Sequence, residues 1–333
     1  MRTRLGRLRA RTDDYTVTLR AKMLAEGNGK PPIAGARWSG PSRVVVSGLG
    51  DDTGGGLYML EDSTFSVLDG VSSTGLAVSA DGRRLARLLC VEDDADVAGE
   101  LLIYDRQGLL AHHRLDALRQ PHSVVWDGDT LVVVSTGTNA ILRIDPSGVV
   151  RRTWKAPGND DSWHLNSLAW RRGRMLISAF GRFAEHHEWV QESAREGAGI
   201  VFDVRSGRDV LGGLSAPQNP LWLDGGWLVC NSGAGELLRL DRQGRVLARR
   251  AFSGWTPGLA VDEALVYQGV SAHRLGGAGA GTACVVGLTR GRWGDRDQAR
   301  ERGAPVRPWV AGACLATLGG AAERSIPLMA TLA

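Results

Sequence analysis

The chain has 333 residues, of which 43% are hydrophobic and 23% charged, and its formal net charge is +4. This balance is typical of a globular protein, and no apolar run is long enough to span a bilayer. The charges are scattered and form no basic groove, so we expect a small-molecule partner and neither nucleic acid nor membrane. Four cysteines without paired spacing indicate free thiols, which predicts a cytoplasmic location. The oligomeric state stays open.

Two stretches of the chain repeat one another. The first is PHSVVWDGDTLVVVSTGTNAILRID, residues 121–145, and the second is QNPLWLDGGWLVCNSGAGELLRLD, residues 218–241. Each contains three short apolar strands separated by turns, and a fourth strand follows. This pattern is typical of a β-propeller blade, and the 45 glycines supply the many turns that such an all-β fold requires.

In chain order, residues 1–40 are weakly patterned and are predicted to be an N-terminal extension or a closing strand. The β-propeller is predicted over residues 41–293, and residues 294–333 form a tail that packs on the ring or closes it. The blades follow one another as residues 43–70, 73–115, 121–155, 162–213, 218–251 and 256–291. We count six, and seven remains open if the two ends contain a further blade. The first blade lacks an innermost strand, which either end could supply, because such closure removes a free sheet edge.

The fourth blade contains the largest insertion, residues 182–197. Its sequence, RFAEHHEWVQESAREG, is rich in helix-forming residues and has no proline or internal glycine. We predict a helical excursion over one face of the ring, which could act as a lid. The run EHHE within it does not have the HExxH spacing of a zinc site.

The residues that enter the innermost strands are the first candidates for function. Aligned across the blades, they are Thr74, His122, Asn166, Asn219 and Pro257. The radial symmetry of a propeller would bring the polar ones together at the mouth of the channel. Such a cup could hold one divalent metal ion, or it could hydrogen-bond a small polar ligand. Alternatively, these side chains only cap backbone groups at the strand starts.

Two histidines are the candidate catalytic residues. His122 enters the third blade, and His164 lies in the segment WHLN before the fourth. The charge of a histidine changes near neutral pH, so either could transfer a proton. His164 could equally be a metal ligand or a structural histidine. Asn166 and Asn219 would orient the substrate or a cation.

Several other residues adjoin the same positions. Three tryptophans could form an apolar wall, and two polar residues could face the pocket: Trp163, Trp222, Trp255, Asn231 and His273. Bend stabilisation is the alternative for Asn231, and a surface position is the alternative for His273. The candidate metal ligands are Glu92, His122, Asn166 and Asn219. No nucleophile elbow or phosphate-binding loop is present.

The segments PHSVVW, WHLNSLAW, APQNPLWLDGGWLVCNSGAGELLRLD and GWTPGLAV resemble a family of uncharacterised bacterial propeller-like proteins. The resemblance covers most of residues 40–290 and implies a propeller fold without a defined activity. More distantly, the arrangement is similar to six-bladed lactonase and strictosidine-synthase-like propellers, whose axial cup of Glu, Asn and Asp surrounds a divalent cation. This sequence departs from them, because His122 stands where an acid or carboxamide is expected and only Glu92 could match an acid. It also lacks the fourth histidine of the propeller oxygenases.

These observations predict a small-molecule enzyme with a His/Asn site at the channel mouth. A lyase, isomerase, cyclase or hydrolase would be compatible with these side chains, with or without a metal, in bacterial specialised metabolism. The alternative is a non-catalytic propeller that binds a protein partner or a ligand.

Overall fold

The computed structural model describes residues 43–49, 56–61, 64–90, 98–105, 107–262, 264–271, 284–290, 302–305 and 313–318. It contains six four-stranded antiparallel sheets, which form a six-bladed β-propeller. The predicted fold class and the count of six blades are therefore confirmed. The predicted N-terminal extension, Glu92 and His273 lie outside the described residues. Within the described part of the chain, no helix has the length and apolarity to span a membrane.

The first three blades are built from the following strands. Blade 1 contains β1 (Arg43–Gly48), β2 (Gly56–Glu61) and β3 (Thr64–Asp69). Blade 2 contains β4 (Ser73–Val78), β5 (Leu85–Leu89), β6 (Ala98–Asp105) and β7 (Gly108–Arg119). Blade 3 contains β8 (Pro121–Asp127), β9 (Thr130–Ser135), β10 (Ala140–Ile144) and β11 (Val150–Lys155).

The remaining strands complete the ring. Blade 4 contains β12 (Leu165–Arg171), β13 (Arg174–Ala179), β14 (Gly199–Asp203) and β15 (Asp209–Leu214). Blade 5 contains β16 (Pro217–Leu223), β17 (Gly226–Asn231), β18 (Glu236–Leu240) and β19 (Val246–Ala251). Blade 6 contains β20 (Trp255–Val261), β21 (Leu265–Ser271), β22 (Cys284–Thr289) and β23 (Arg302–Pro305), and β24 (Ala313–Leu318) follows.

The C-terminal region supplies the innermost strand of blade 1. Strand β24 pairs antiparallel with β1, with Ala313 opposite Gly48 and Leu318 opposite Arg43. The order of this sheet is β24-β1-β2-β3, whereas every other blade uses four consecutive strands. Closure between the two ends of the chain leaves no unpaired inner edge on β1.

The repeated bends have a common backbone cause. A 3-10 turn follows β9 at Thr136–Thr138 and follows β17 at Ser232–Ala234. The next residue is left-handed in both cases, with φ of 54° at Asn139 and 64° at Gly235. Asparagine and glycine tolerate this conformation best, which explains why the copies STGTN and NSGAG keep their length although their sequences differ.

Neighbouring blades are joined by side chains that reach main-chain carbonyls. Thr74 in blade 2 donates to the carbonyl of Pro121 in blade 3 at 2.6 Å. The Trp126 indole donates back to the carbonyl of Ala77 at 3.1 Å. These bonds satisfy polar groups that would otherwise be buried without a partner, so they fix blade 2 against blade 3.

The insertion at 182–197 differs from the predicted helical excursion. It contains only a 3-10 turn at Glu188–Val190 and a four-residue helix, α1, at Glu192–Arg195. His187, which precedes the 3-10 turn, has a left-handed φ of 59°. A helix of four residues forms too few hydrogen bonds to offset the conformational entropy that its first turn loses. Side-chain contacts to the ring therefore determine the conformation instead.

Candidate functional site

The innermost strands of blades 2 to 6 enter the ring in the same register. The first residue of each strand pairs with the end of the second strand, and a one-residue irregularity follows: Ser73 with Leu89, Pro121 with Ser135, Leu165 with Ala179, Pro217 with Asn231, and Trp255 with Ser271. The second residues are therefore equivalent, and they are Thr74, His122, Asn166, Gln218 and Thr256. All five are polar and buried.

This register corrects the alignment of the fifth and sixth blades. Asn219 and Pro257 lie one residue beyond the position that His122 and Asn166 occupy, and Gln218 takes that place in blade 5. The Asn219 amide donates to the carbonyl of Pro257, which ties blade 5 to blade 6. Asn219 is thus engaged in the backbone contact that the sequence left open as an alternative.

A buried histidine–carboxylate pair lies immediately before β12. His164 Nδ1 is 2.9 Å from Oδ2 and 3.1 Å from Oδ1 of Asp161. The exposed fraction is 5% for His164 and 1% for Asp161. Since an ionised carboxylate only accepts hydrogen bonds, the Nδ1–H of His164 donates to it.

The pKa of Asp161 reflects this pairing. Burial by itself would raise the pKa of the Asp161 carboxyl, but the charge and hydrogen bond of His164 lower it below its ordinary value. His187, whose Nε2 is 3.4 Å from Oδ2, and the charge of His122 act in the same direction. The carboxylate therefore stays ionised although it is enclosed.

His122 and His164 lie together, although they belong to different blades. The centroids of their rings are 5.0 Å apart and the rings meet edge to face. His122 Nδ1 is 3.1 Å from the carbonyl oxygen of Gln120. The structure thus brings the two histidines singled out in the sequence into ring contact with each other.

The left-handed backbone of His164 is a property of the ring. His164 has φ of 46°, and the residues in the same place before β8 and β16 have similar values, 40° at Gln120 and 47° at Ala216. The strained conformation is therefore shared by blades of different chemistry. It precedes the innermost strands of these three blades and is not evidence of function by itself.

An aromatic cluster surrounds His164. The ring centroid of Trp189 is 3.9 Å from that of His164, and that of Phe180 is 4.2 Å away. Trp255 joins through Phe180 at 6.2 Å. Such rings can cover an apolar or aromatic part of a ligand beside the imidazole.

Two of the three predicted wall tryptophans have other neighbours. Trp163 packs edge to face on Phe202 at 5.7 Å, within the core between blades. Trp222 packs on Trp227 at 5.0 Å and lies under the guanidinium of Arg171 at 3.7 Å. Trp222 is four residues beyond Gln218 on β16, a rise of about 13 Å, so it faces the opposite end of the strand.

The insertion at 182–197 forms hydrogen bonds to the main chain of Asp161. The main-chain carbonyl of Asp161 accepts bonds from the His187 amide and from the Trp189 indole, both at 3.1 Å. Further along, the Gly197 amide donates to the Ser215 hydroxyl at 3.2 Å, and Arg195 lies over Trp255 at 5.6 Å. The insertion therefore covers the entry ends of β12, β16 and β20.

Asn231 has a structural role. Its Oδ1 accepts the Ser215 amide at 2.7 Å, and its Nδ2 donates to Glu236 at 3.2 Å. Ser135 is the equivalent residue in blade 3, and its hydroxyl accepts the Arg119 amide at 2.9 Å in the same manner. Bend stabilisation, the alternative considered from the sequence, describes these contacts.

The described residues do not fit the Glu/Asn/Asp metal cup of the lactonase-like propellers. Asn219 is engaged with Pro257, and Oδ1 of Asn166 accepts a bond from the Ser167 hydroxyl at 2.7 Å. No group of three His, Cys, Asp or Glu side chains suited to a metal ion occurs in the part of the chain that the structure describes. Glu92, the acid with the best match, lies outside that part.

The sequence missed Asp161 and Trp189. Asp161 stands in the loop GNDDS and Trp189 in an insertion with no counterpart in other blades, so neither belongs to a repeated position. The position of Gln218, in contrast, could have been predicted from the spacing of tryptophans in the sequence. The recurring Trp126, Trp170 and Trp222 each come four residues after the shared polar position, which places Gln218 and not Asn219 there.

Residues 109–284 match the model of a family described as a domain of unknown function, DUF4915, which is more than half of the chain. A chain in a structure of the nidogen/laminin complex has 11% identity and a TM-score of 0.52, with 78% of this chain and 96% of that chain covered. A protein of unknown function from Bacteroides caccae has 14% identity and a TM-score of 0.50, with coverage of 75% and 90%.

Virginiamycin B lyase from Staphylococcus aureus is 10% identical with a TM-score of 0.46, covering 91% of this chain and 98% of that one. No curated protein matches. At these identities the similarity concerns the fold alone.

Proposed function

The chain belongs to the DUF4915 family, and we propose that it is a small-molecule enzyme in which His164 transfers protons. The observation that carries this proposal is the hydrogen bond from His164 Nδ1 to the buried Asp161 carboxylate, at 2.9 Å. A carboxylate that fixes the tautomer of a histidine, beside aromatic side chains at the mouth of a propeller, is suited to acid–base chemistry. A lyase, isomerase, cyclase or hydrolase reaction would use this chemistry.

Asp161 would act as the positioning residue for the proton transfer. It holds the Nδ1–H of His164, so that Nε2 can accept a proton from the substrate. The ionised carboxylate then stabilises the imidazolium until the proton returns to a carbon or a leaving oxygen of the product. His122, with its ring 5.0 Å away, would be the second group that can hold a proton.

The aromatic cluster would bind the apolar part of the substrate. Phe180 and Trp189 flank the His164 ring, and Trp189 comes from the insertion that covers this end of the ring. Exclusion of water strengthens the ion pair that forms when His164 takes up a proton. The insertion would therefore have to open for the substrate to enter and close during the reaction.

A comparison of three variants tests the proposal. Turnover of a panel of small lactones, lactams and hydroxy acids is followed by NMR for the wild type, Asp161→Asn, His164→Gln and His113→Gln. We expect Asp161→Asn and His164→Gln to lower kcat by about 10²- to 10⁴-fold, because proton transfer loses its positioned group. His113 lies on the outer strand β7, where its Nε2 contacts the Pro146 carbonyl, so His113→Gln is the control. Equal turnover in all four proteins would refute the proposal.

A non-catalytic binding propeller is the second candidate. It is favoured by the enclosure of the site, since His164 and Asp161 are almost wholly buried and Asn219 and Asn231 serve structural bonds. The same panel separates the two candidates. A ligand that binds and is recovered unchanged, with equal affinity for wild type and Asp161→Asn, favours the binding protein.

A further inference from the structure

Two buried carboxamides in neighbouring blades have polar atoms without a protein partner. Gln218 on β16 is fully buried, and both its Oε1 and Nε2 lack a hydrogen bond to any described residue. Asn166 on β12 is also fully buried, and its Nδ2 lacks one as well. Buried polar groups are destabilising unless something satisfies them, so these three atoms call for a partner from outside the chain.

The threonines at the equivalent position of blades 2 and 6 are satisfied. Thr74 donates to the Pro121 carbonyl at 2.6 Å, and Thr256 donates to the Glu236 carbonyl at 2.9 Å. The ring itself therefore does not require unpaired groups at this position. Blades 4 and 5 differ in carrying a carboxamide with polar atoms that make no such bond.

These amides adjoin the candidate site. Asn166 is two residues after His164. Gln218 is two residues after Ala216, which packs with Phe180 and Trp255 in one buried cluster. Phe180 in turn contacts the His164 ring at 4.2 Å. The unpaired atoms, the aromatic rings and the histidine thus belong to the same end of the ring, beneath the insertion at 182–197.

The unpaired atoms define a hydrogen-bonding pattern. Gln218 offers one acceptor atom, Oε1, and one donor atom, Nε2, on a single flat amide, and Asn166 offers the donor atom Nδ2, while its Oδ1 already accepts a bond from Ser167. The complement is a flat group with one N–H between two carbonyl oxygens, or one N–H beside one carbonyl. A carboxylate cannot meet this pattern, since it has no donor for Oε1 of Gln218.

We propose that Gln218 and Asn166 form a binding subsite for the amide or imide edge of a small cyclic ligand. The ligand N–H donates to Gln218 Oε1, one carbonyl accepts from Gln218 Nε2, and a second carbonyl accepts from Asn166 Nδ2. The ring of the ligand packs on the cluster of Phe180 and Trp255. This inference rests on the proposed function in one respect, that the bound molecule is the substrate of His164.

Because the three atoms are enclosed, the ligand enters when the insertion at 182–197 lifts from the ends of β12, β16 and β20. The contacts that must break include the bonds of His187 and Trp189 to the Asp161 carbonyl and that of Gly197 to Ser215. The bonds of the Asn159 amide to Ala184 and of the Asp161 amide to His186 break as well. All are hydrogen bonds of ordinary length, and most of the insertion is exposed.

Binding of two matched probes to the full chain tests the subsite. Succinimide presents the complete imide edge, and N-methylsuccinimide has the same carbonyls without the N–H. We expect ligand-observed NMR titration to give a Kd at least about tenfold weaker for N-methylsuccinimide, because Gln218 Oε1 then loses its donor. Equal affinity for both probes, or no binding of succinimide, would overturn the subsite and leave buried water as the partner of the amides.

Two variants locate the binding. Gln218→Met should weaken succinimide binding at least about tenfold without lowering the thermal midpoint, because it removes two unpaired buried atoms. Gln243→Met, at an exposed turn, is the control and should bind as the wild type does. Succinimide binding that survives Gln218→Met contradicts the proposal.

Asp161→Asn separates this inference from the proposed function. If Asp161→Asn abolishes turnover while Gln218→Met leaves succinimide binding unchanged, the enzyme stands and the subsite is wrong. If succinimide binding depends on Gln218 but no protein shows turnover, the subsite stands and the chain is a binding propeller.

Discussion

Asp161 is a single residue whose contacts join the candidate site to the insertion at 182–197. Its side chain binds His164 and contacts His187, and its main-chain carbonyl holds the insertion. A buried carboxylate is tolerated only where such partners compensate for the loss of water. Removing the charge should therefore affect stability as well as chemistry.

We predict that Asp161→Asn lowers the unfolding free energy relative to the wild type, and that this loss is larger at neutral pH than at acid pH. The folded pKa of Asp161 is lowered, so its contribution is fully present above the unfolded value of about 3.9 and is lost as the pH falls through the folded pKa. Urea unfolding at pH 7 and pH 3 measures this. The difference in unfolding free energy between wild type and variant should be about 3–5 kcal/mol at pH 7 and should shrink at pH 3. A difference that is the same at both pH values would contradict the prediction.

Residues of the site could be predicted where they repeat. His122 and Asn166 occupy one register position in adjacent blades, and His164 precedes the second of them, so the alignment of apolar strands found all three. Asp161 could not be found this way. Its importance comes from a loop that folds back on the entry of its own blade, and an aspartate in such a loop is usually solvated.

At the scale of elements, the conformation of the insertion at 182–197 could not be predicted from its composition and residue pattern. Its composition favours a helix, yet only α1 forms, because no apolar stripe runs along it to pack a longer helix on the ring. Separate contacts anchor it instead: His187 and Trp189 contact Asp161, Arg195 lies over Trp255, and Arg182 pairs with Asp209. Such anchoring cannot be read from a local pattern, since the partners lie before blade 4, in blade 4 and in blade 6.

We predict that Trp189→Ala loosens the insertion without unfolding the propeller. The variant loses the indole bond to Asp161 and the packing on His164 and Phe180. Hydrogen exchange followed by mass spectrometry should show amides of residues 182–197 exchanging at least about tenfold faster, since local opening requires less free energy.

Trp154→Ala provides the control for that experiment. Trp154 is also half-buried, and it packs on Phe202 at 5.9 Å from the outer strand β11. Its removal should leave exchange in the insertion unchanged. If Trp189→Ala and Trp154→Ala have the same effect there, Trp189 does not hold the insertion.

At the scale of the whole molecule, the repeats were sufficient to predict the architecture. Each blade is formed by four strands, and the middle ones read as short apolar runs, such as LVVV in β9 and WLVC in β17. Six such units with short turns define a propeller. The source of the last inner strand could not be predicted, because β24 and β1 come from opposite ends of the chain and their pairing leaves no local signal.

Closure by β24 leads to the last prediction. A chain that ends after residue 310 lacks β24, so β1 becomes an unpaired inner edge and the sheet β24-β1-β2-β3 is left with three strands. We expect this truncation to lower the thermal midpoint by about 10 °C or more and to promote association, because an exposed edge strand pairs with other chains.

A chain that ends after residue 320 retains β24 and is the matched control. Thermal unfolding followed by circular dichroism, with light scattering for association, compares the two truncated chains with the full chain. The control should keep the single transition of the full chain. Within its sheet β24 pairs only with β1, but it completes the ring between blades 6 and 1. Its loss should therefore destabilise all six blades together. A 1–310 chain with the midpoint of the full chain would show that the ring does not depend on this strand.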